Sequence, residues 1–538
     1  MPYLCAIALW NLAIYWLGSH KNNNLFTLAK KYLILCVLKL NHLSFISILM
    51  SSNKFFLLIL ILYATNNPSQ AQKHDYFLPF GYANGSMFSE FGGATMNFNF
   101  SPPKIYKEKK EINFNAFCAS CSDSSGNWLF YSNGISIQHK MHNLMQNGDS
   151  INYGNGEIWN EYKTDGYPNS AGGEVVPYPG HPNQYIMVHQ ATTIDYVNDL
   201  ILGSPFYATT IDMDANNGLG RVVSKNQILR EGNLTDFVVT KHGNGRDWWV
   251  IIAEVSMPRH YIYLIDSDGV HPAMVQDYGP SFPSTEAVFF SSISPDGTTY
   301  VRMDYTNGIR VYDFNRCTGT LSNLRILPFY GVFSENTATT NVEFSPDSRY
   351  MYVNSFTVVM RLDMWAPEPY NTLDTVAIND GFATPLPLTT EFWRSRLGPD
   401  DKIYYSTGNS TTAIHVMHHP ELPGLAADFE QHGVTPPVYY FSGICGGPNY
   451  RLGTWLGSSC DTIQLQPNPP EGFKHTVYEP DRWNNPNTTT YTIWPTMGKP
   501  GKQTDGSGMG QTEYDLFMAR EKKRKSIPVQ LTKKSNEE

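Results

Sequence analysis

Six times between Phe117 and Val416 the chain repeats one arrangement of apolar and polar positions: an apolar stretch, a tight turn, an aromatic run and a third run that often ends near Asp. The turns and the runs after them read Ser125-Gly126-Asn127-Trp128-Leu129-Phe130-Tyr131, His181-Pro182-Asn183-Gln184-Tyr185-Ile186 and Asn244-Gly245-Arg246-Asp247-Trp248-Trp249. The other three read Ser294-Pro295-Asp296-Gly297-Thr298-Thr299-Tyr300, Ser345-Pro346-Asp347-Ser348-Arg349-Tyr350 and Gly398-Pro399-Asp400-Asp401-Lys402-Ile403. Third runs lie at 135–137, 206–212, 261–266, 309–313, 359–363 and 413–416, and alternation along them predicts half-buried strands. Asn-Gly and Pro-Asp-Gly supply the backbone conformations that tight antiparallel connections need. Pro295, Pro346 and Pro399 fall 51 and 53 residues apart. Short strands recurring at such a period predict a β-propeller, one blade per period.

A propeller must close its ring or leave strand edges exposed. Segments 76–81 and 94–100 read as an N-terminal strand pair, and 438–444 and 449–456 as two further strands after the last repeat. Joining both sets in one composite blade predicts an all-β propeller of seven blades; six follow if the terminal pieces only cap the ring. Residues 72–460 are the propeller. From 461 to 538 the chain turns rich in Pro, Asn, Thr and Gly and then charged, which reads as a linker with a small β-domain or a disordered tail.

Aromatic residues make up 14% of the 538 positions, charged residues only 16%, and Gly with Pro number 77, a mixture that suits many strands and turns. The net charge of −9 argues against nucleic acid as a partner, because phosphate binding needs a basic surface. From Met50 the chain reads as a secretory signal: Lys54, an apolar stretch at 55–64, then Ser69-Gln70-Ala71 as a small-x-small cleavage site. Residues 1–49 then read as a mis-assigned upstream extension, with a membrane anchor as the alternative, 50–71 as the signal peptide, and the mature protein starts near Gln72, secreted or at the cell surface. Neither 4–18 nor 32–39 reaches the roughly 20 apolar residues of a spanning helix. Five cysteines remain after processing: Cys118, Cys121, Cys317, Cys445 and Cys460. Export allows a bridge such as Cys445–Cys460. Cys118-x-x-Cys121 lies on a first strand, where period two sends the thiols to opposite faces, against a metal or redox pair.

The run from Cys121 to Ile135, the segment Asn217-Gly218-Leu219-Gly220-Arg221-Val222-Val223, the stretch Thr240-Lys241-His242-Gly243-Asn244-Gly245-Arg246-Asp247-Trp248-Trp249-Val250 and the Ser-Pro-Asp turns together resemble secreted β-propeller (WD40-like or YVTN-like) proteins of type IX-secreting bacteria. The resemblance covers about 76–456 and implies no catalytic residues. In the tail, Pro467-Asn468-Pro469, Thr490-Tyr491-Thr492-Ile493, Met497-Gly498-Lys499, Thr512-Glu513-Tyr514-Asp515-Leu516 and Val529-Gln530-Leu531-Thr532 are similar to a type IX C-terminal sorting domain. Pro495, Pro500 and the charged run 520–526 depart from that pattern, so the resemblance implies a divergent domain, with the type IX export machinery as partner.

Candidate chemistry is sparse. Asp212, Asp214 and Asn216 alternate like calcium ligands, but Gly218 comes one position late and Val223 stands where an acid would close the loop. A hairpin turn accounts for the same residues, so no cofactor is expected and calcium is the alternative. His415 and His418, with His419 and Glu421, form the one histidine cluster in the repeats and compete between zinc and a polar loop. His189 with Asp195 and His242 with Asp247 are candidate acid–base pairs, although His242 lies in a repeat turn. Trp159 with Tyr162 and Trp365 with Tyr370 are aromatic candidates for ligand contact, while Trp128, Trp248 and Trp249 belong to packing between blades. No Gly-x-Ser-x-Gly elbow, phosphate loop or His-Glu-x-x-His stretch occurs. The expected function is an extracellular or cell-surface interaction module taking a protein or glycan on one propeller face. The alternative is a carbohydrate-active hydrolase or lyase using carboxylates in the channel, which requires acids around that channel.

Overall fold

The computed structural model describes residues 72–461, with short interruptions at 84–89, 155, 170–171, 196–199, 282–288, 305–307, 329–338, 387 and 442. Beyond them it describes one strand pair, His475–Thr476 with Thr492–Ile493. The expected upstream extension and signal peptide, and most of the expected sorting domain, lie outside the described residues. Among the described residues no helix is long and apolar enough to cross a membrane.

The repeat turns set the local geometry. At the same point of all six, the backbone takes the left-handed conformation: Gly126, Asn183, Gly245, Gly297, Ser348 and Asp401 have φ of 84°, 58°, 74°, 73°, 63° and 65°. Side chains lock the two Ser-Pro-Asp turns. The Ser294 hydroxyl donates to Asp296 and accepts the Thr299 N–H at 2.9 Å, and the Ser345 hydroxyl donates to Asp347 and accepts the Tyr350 N–H at 2.8 Å. Each turn joins the first two strands of an antiparallel meander. Phe289–Ile293, Thr299–Asp304, Gly308–Asn315 and Thr320–Leu327 form one, and Thr339–Phe344, Tyr350–Ser355, Val358–Asp363 and Asp374–Ile378 the next. Phe392–Leu397, Ile403–Thr407, Ile414–Met417 and Phe429–Val434 follow. Fourth strands are absent from the sequence reading; Thr320–Leu327 is exposed at half its positions, and Phe429–Val434 has no fully buried one, so neither shows a clean apolar alternation.

Earlier in the chain, Ala119–Ser122, Trp128–Ser132 and Ile137–His139 form a three-stranded sheet. Two meanders then share a single sheet: Gly173–Pro177, Gln184–Asp195, Leu200–Asp212 and Arg221–Arg230, and then Leu234–Lys241, Trp248–Glu254, Arg259–Asp266 and Met274–Asp277. The join is made where Leu234 pairs with Gly203. At the N-terminus, Phe77–Gly81, Gly93–Asn97 and Lys104–Glu108 form their own sheet. The third of these strands was not expected. Among the described residues the expected C-terminal strands are not formed: 438–444 contributes bridges, Phe91 to Tyr439 and Thr411 to Tyr440, and 449–456 is not a strand. The composite blade is therefore corrected to an N-terminal sheet with one C-terminal segment against it.

First strands lie side by side: Leu234–Lys241 beside Phe289–Ile293, that beside Thr339–Phe344, and that beside Phe392–Leu397. Likewise Phe77–Gly81 lies beside Ala119–Ser122, which lies beside Gly173–Pro177. Radial packing of this kind buries second strands on both faces, and alternate residues then enter different cores. Trp248, Val250 and Ile252 pack with the preceding meander while Trp249 and Ile251 pack with the following one. Tyr350 and Tyr352 divide from Met351 and Val353 in the same way. A further cluster brings the two ends of the array together, joining Leu78 and Phe80 to Tyr404 and Val416 and to Val438 and Tyr440.

Residues 443–461 run as a strap across the array. Cys445 is bonded to Cys118 and Cys460 to Cys317, in place of the Cys445–Cys460 bridge that the sequence allowed; Cys121 is buried and unbridged. Between the bridges, Arg451 grips Asp75 through two hydrogen bonds of 2.8 Å, and the Tyr450 hydroxyl donates to the Val175 carbonyl. Buried Lys241 donates to the Tyr450 carbonyl at 2.7 Å and to Gln72 Oε1 at 2.6 Å. Arg316 reaches the Gly453 carbonyl at 2.7 Å. The bridges span 327 and 143 residues of sequence. Peptide mapping without reduction is expected to recover Cys118–Cys445 and Cys317–Cys460. Converting Cys317 and Cys460 to Ser together is expected to lower unfolding stability by about 2–4 kcal/mol in urea titration, the usual effect of removing a long-range bridge; an unchanged midpoint would show that the strap is not held this way.

Candidate functional site

Where the first strands meet, they enclose a cavity of about 350 Å³. Each strand contributes side chains by its period of two. Glu174 comes from Gly173–Pro177, Asp236 from Leu234–Lys241, Asn341 and Glu343 from Thr339–Phe344, and Arg394 and Arg396 from Phe392–Leu397. Strap residues 446–449 and 451–452 complete the wall. At Gly446 the strap passes directly over the Arg396 guanidinium, and a Cβ there would stand 2.5 Å from Arg396 Cζ, so a bare backbone is required unless Arg396 moves.

Two charge pairs in this wall are loose. Arg394 Nη1 lies 3.8 Å from Asp236 and Arg396 Nη2 lies 3.7 Å from Glu174, both beyond hydrogen-bond distance. Glu343 is held differently, accepting the Phe344 N–H at 2.9 Å and the Leu397 N–H at 3.2 Å. Asn341 donates to the Ser395 carbonyl at 2.7 Å and accepts from Arg394. Burial dominates the titration of these groups. It pushes Glu174 up to about 7, against the opposing pull of Arg396 and with the help of Glu343. Asp236 and Glu343 are raised by burial too, and Arg394 is lowered to about 10. Glu174 Oε2 is buried with no hydrogen-bond partner among the described residues.

The residues singled out from sequence lie elsewhere. His189 is buried in a core, its Nδ1 2.6 Å from Asn152 Oδ1 and its Nε2 2.8 Å from Thr209 Oγ1, and burial lowers it to about 3. Both ring nitrogens are thus engaged by groups other than Asp195. His242 orders its own turn, with Nδ1 accepting the Asn244 N–H at 3.0 Å and Nε2 facing the Cys317 carbonyl at 3.1 Å, while Asp247 pairs with Arg246. Trp159 sits on the helix Glu157–Tyr162 and donates to the Ile151 carbonyl at 2.9 Å; with Tyr162 it packs on a core. Trp365 lies beside the Arg349 guanidinium, and Tyr370 packs on the core beneath it.

Asp212 accepts the Asp214 N–H and Asp214 accepts from Asn183, both at 2.9 Å, while Asn216 occupies the left-handed position of a short 3₁₀ turn. His415 is buried against Phe392 and Phe429, and His418 faces outward to Glu430 at 2.8 Å, so the two do not converge. Among the described residues no three His, Cys, Asp or Glu side chains gather as a metal site. Sequence reasoning missed the cavity residues because it followed turns and second strands. The available signal was polar or charged residues two apart on first strands, Asn341 with Glu343 and Arg394 with Arg396.

No family model and no curated protein matches the chain. Among solved structures it is similar to a functionally unknown protein from Desulfotomaculum acetoxidans, at 16% identity over 69% of this chain and 99% of that one, with a TM-score of 0.39. It is also similar to the periplasmic gluconolactonase of Pseudomonas aeruginosa, at 10% identity over 68% and 98% with a TM-score of 0.36. A protein from Bacteroides uniformis, described as a candidate 6-phosphogluconolactonase, is 13% identical over 67% and 96% with a TM-score of 0.40. Likeness at this level carries no function across.

The raised Glu174 makes a stability test. A carboxyl that keeps its proton on folding favours the folded state in acid, and that contribution is lost as pH rises through about 7. Glu174→Gln removes the buried charge. It is expected to stabilise the protein at pH 8 by up to about 3 kcal/mol and much less at pH 5, read from urea denaturation at both pH values. Equal effects at the two pH values would contradict the assignment.

Proposed function

We propose that this chain is an exported propeller of seven blades, two of which share a sheet, and that it binds a small polar ligand in its central channel as an extracellular or cell-surface module. The observation that carries the reading is the cavity itself. Charged and amide side chains from four first strands face one space of about 350 Å³, within the usual size range of small-molecule sites. Ring closure is supported by the cluster shared by the first and last meanders and by the Cys118–Cys445 bridge. Two bridges among five cysteines favour an oxidising compartment. Lys241 donates to Gln72 Oε1, which ties the residue after the expected cleavage site to the propeller. The tail after 461 is read as a type IX address.

Isothermal titration of the exported protein against monosaccharides, sugar acids, disaccharides and short peptides tests this reading. One class is expected to bind, and Arg394→Ala is expected to weaken it at least about 10-fold, as loss of a charged hydrogen-bonding group does. Binding that ignores Arg394 but falls on substitution of outer loops would refute a channel site. N-terminal sequencing of exported material is expected to begin at Gln72; a start at Met1 would refute processing.

A second reading, a channel hydrolase acting on carbohydrate, is favoured by one observation: Glu174, raised to about 7, has the proton affinity of a general acid at neutral pH. It predicts turnover of glycosides that Glu174→Gln reduces at least about 100-fold, the usual contribution of general acid catalysis. No turnover across a glycoside panel would leave binding alone.

A further inference from the structure

Two salt bridges in the cavity wall differ in a way that specifies what the cavity takes. Arg451 and Asp75 are closed on each other, fork to fork, with both contacts at 2.8 Å. Arg396 and Glu174 stand open at 3.7 Å, and this is the one ion pair either makes among the described residues. The Arg396 side chain, which lines the cavity, is 33% exposed while Glu174 is only 8% exposed, and Glu174 Oε2 meets no donor or acceptor among the described residues. Buried polar atoms are nearly always partnered, so an unpartnered carboxyl oxygen lining a cavity marks a place for an incoming group.

We infer that the channel ligand is an organic carboxylate that also carries hydroxyl groups, its carboxylate held by Arg396 and an adjacent hydroxyl by Glu174. The inference rests on the channel-binding reading and names its ligand class. A guanidinium presents parallel N–H donors that match a carboxylate in two-point contact. A wholly neutral ligand would leave Arg396 with no anion nearer than Glu174 at 3.7 Å. A divalent cation is disfavoured: Glu343 is already bound by two backbone N–H groups, and Asp236 and Glu174 each face an arginine. The groups facing Glu174 are Arg396 from the last meander and Glu343 from the one before it. The acid therefore meets one positive and one negative neighbour, and it offers a ligand hydroxyl either an acceptor or a donor.

D-glucuronate and D-glucose, which share a ring and differ at the carboxylate, are the probes, titrated calorimetrically into the full exported protein. Glucuronate is expected to bind at least about 10-fold more tightly than glucose, the effect of one charged hydrogen-bonding pair. Arg396→Gln is expected to abolish that preference, and Arg396→Lys to restore part of it by returning the charge without the fork. Glu174→Gln is expected to keep the preference while weakening both sugars several-fold. Thermal melts confirm that each variant is folded. Equal affinity for the two sugars, or a preference that survives Arg396→Gln, overturns the inference. If neither sugar binds but a peptide or disaccharide does, and Arg394→Ala abolishes it, the channel reading stands and this inference falls. If no channel substitution affects any ligand, both fall.

Discussion

Sheets packed face to face around an axis are held firmly to their neighbours and weakly at the seam where the chain's two ends meet, and that seam governs the rest of this molecule. Here it is secured three times over. Apolar residues from the first and last meanders share a core with Val438 and Tyr440. The chain then returns as a strap whose two cysteines fasten it to separate sheets. Between these points Arg451, Tyr450 and Lys241 tie the strap to Asp75, Val175 and Gln72, so both termini of the described body depend on the same few contacts. Lys241 is buried deeply enough to be lowered to about 7, and it is tolerated because two oxygens receive its N–H groups.

The cavity follows from that arrangement. First strands turn one set of alternate side chains toward the axis, and there the apolar cores end. Acids and arginines at these positions are desolvated by the surrounding sheets, which raises Glu174, Asp236 and Glu343 and lowers Arg394. None of this needs unusual backbone geometry. It needs only a charged residue on a strand that packing brings to the centre.

Much of the architecture was legible because it is local. Left-handed positions at Gly126, Gly245 and Gly297 announce their turns in the residue type, and aromatic runs after them announce second strands. Trp128, Trp248 and Trp249 were placed in packing between sheets, where they lie. The strap was not legible. Residues 449–456 look like a strand by composition, but Pro448, Gly453 and contacts to five separated segments, at Asp75, Val175, Lys241, Pro295 and Arg316, draw them across the array instead. Cysteine pairing was equally hidden, since it joins residues hundreds of positions apart. The cavity residues escaped for a related reason. Glu174 and Arg396 become neighbours only through the ring, whereas His189, Trp159 and His415 attracted notice by type and turned out to serve packing and local hydrogen bonding.

One further consequence concerns the hairpin of Gln184–Asp195 and Leu200–Asp212. Its strands, 12 and 13 residues long, overrun their own meander, and Gly203 reaches Leu234 to fuse two sheets into one. Repeating sheets can usually loosen one at a time, because only side chains connect them. Here the pairing of Leu234 with Gly203 adds a main-chain link between two meanders, so they are tied by backbone as well as by side chains.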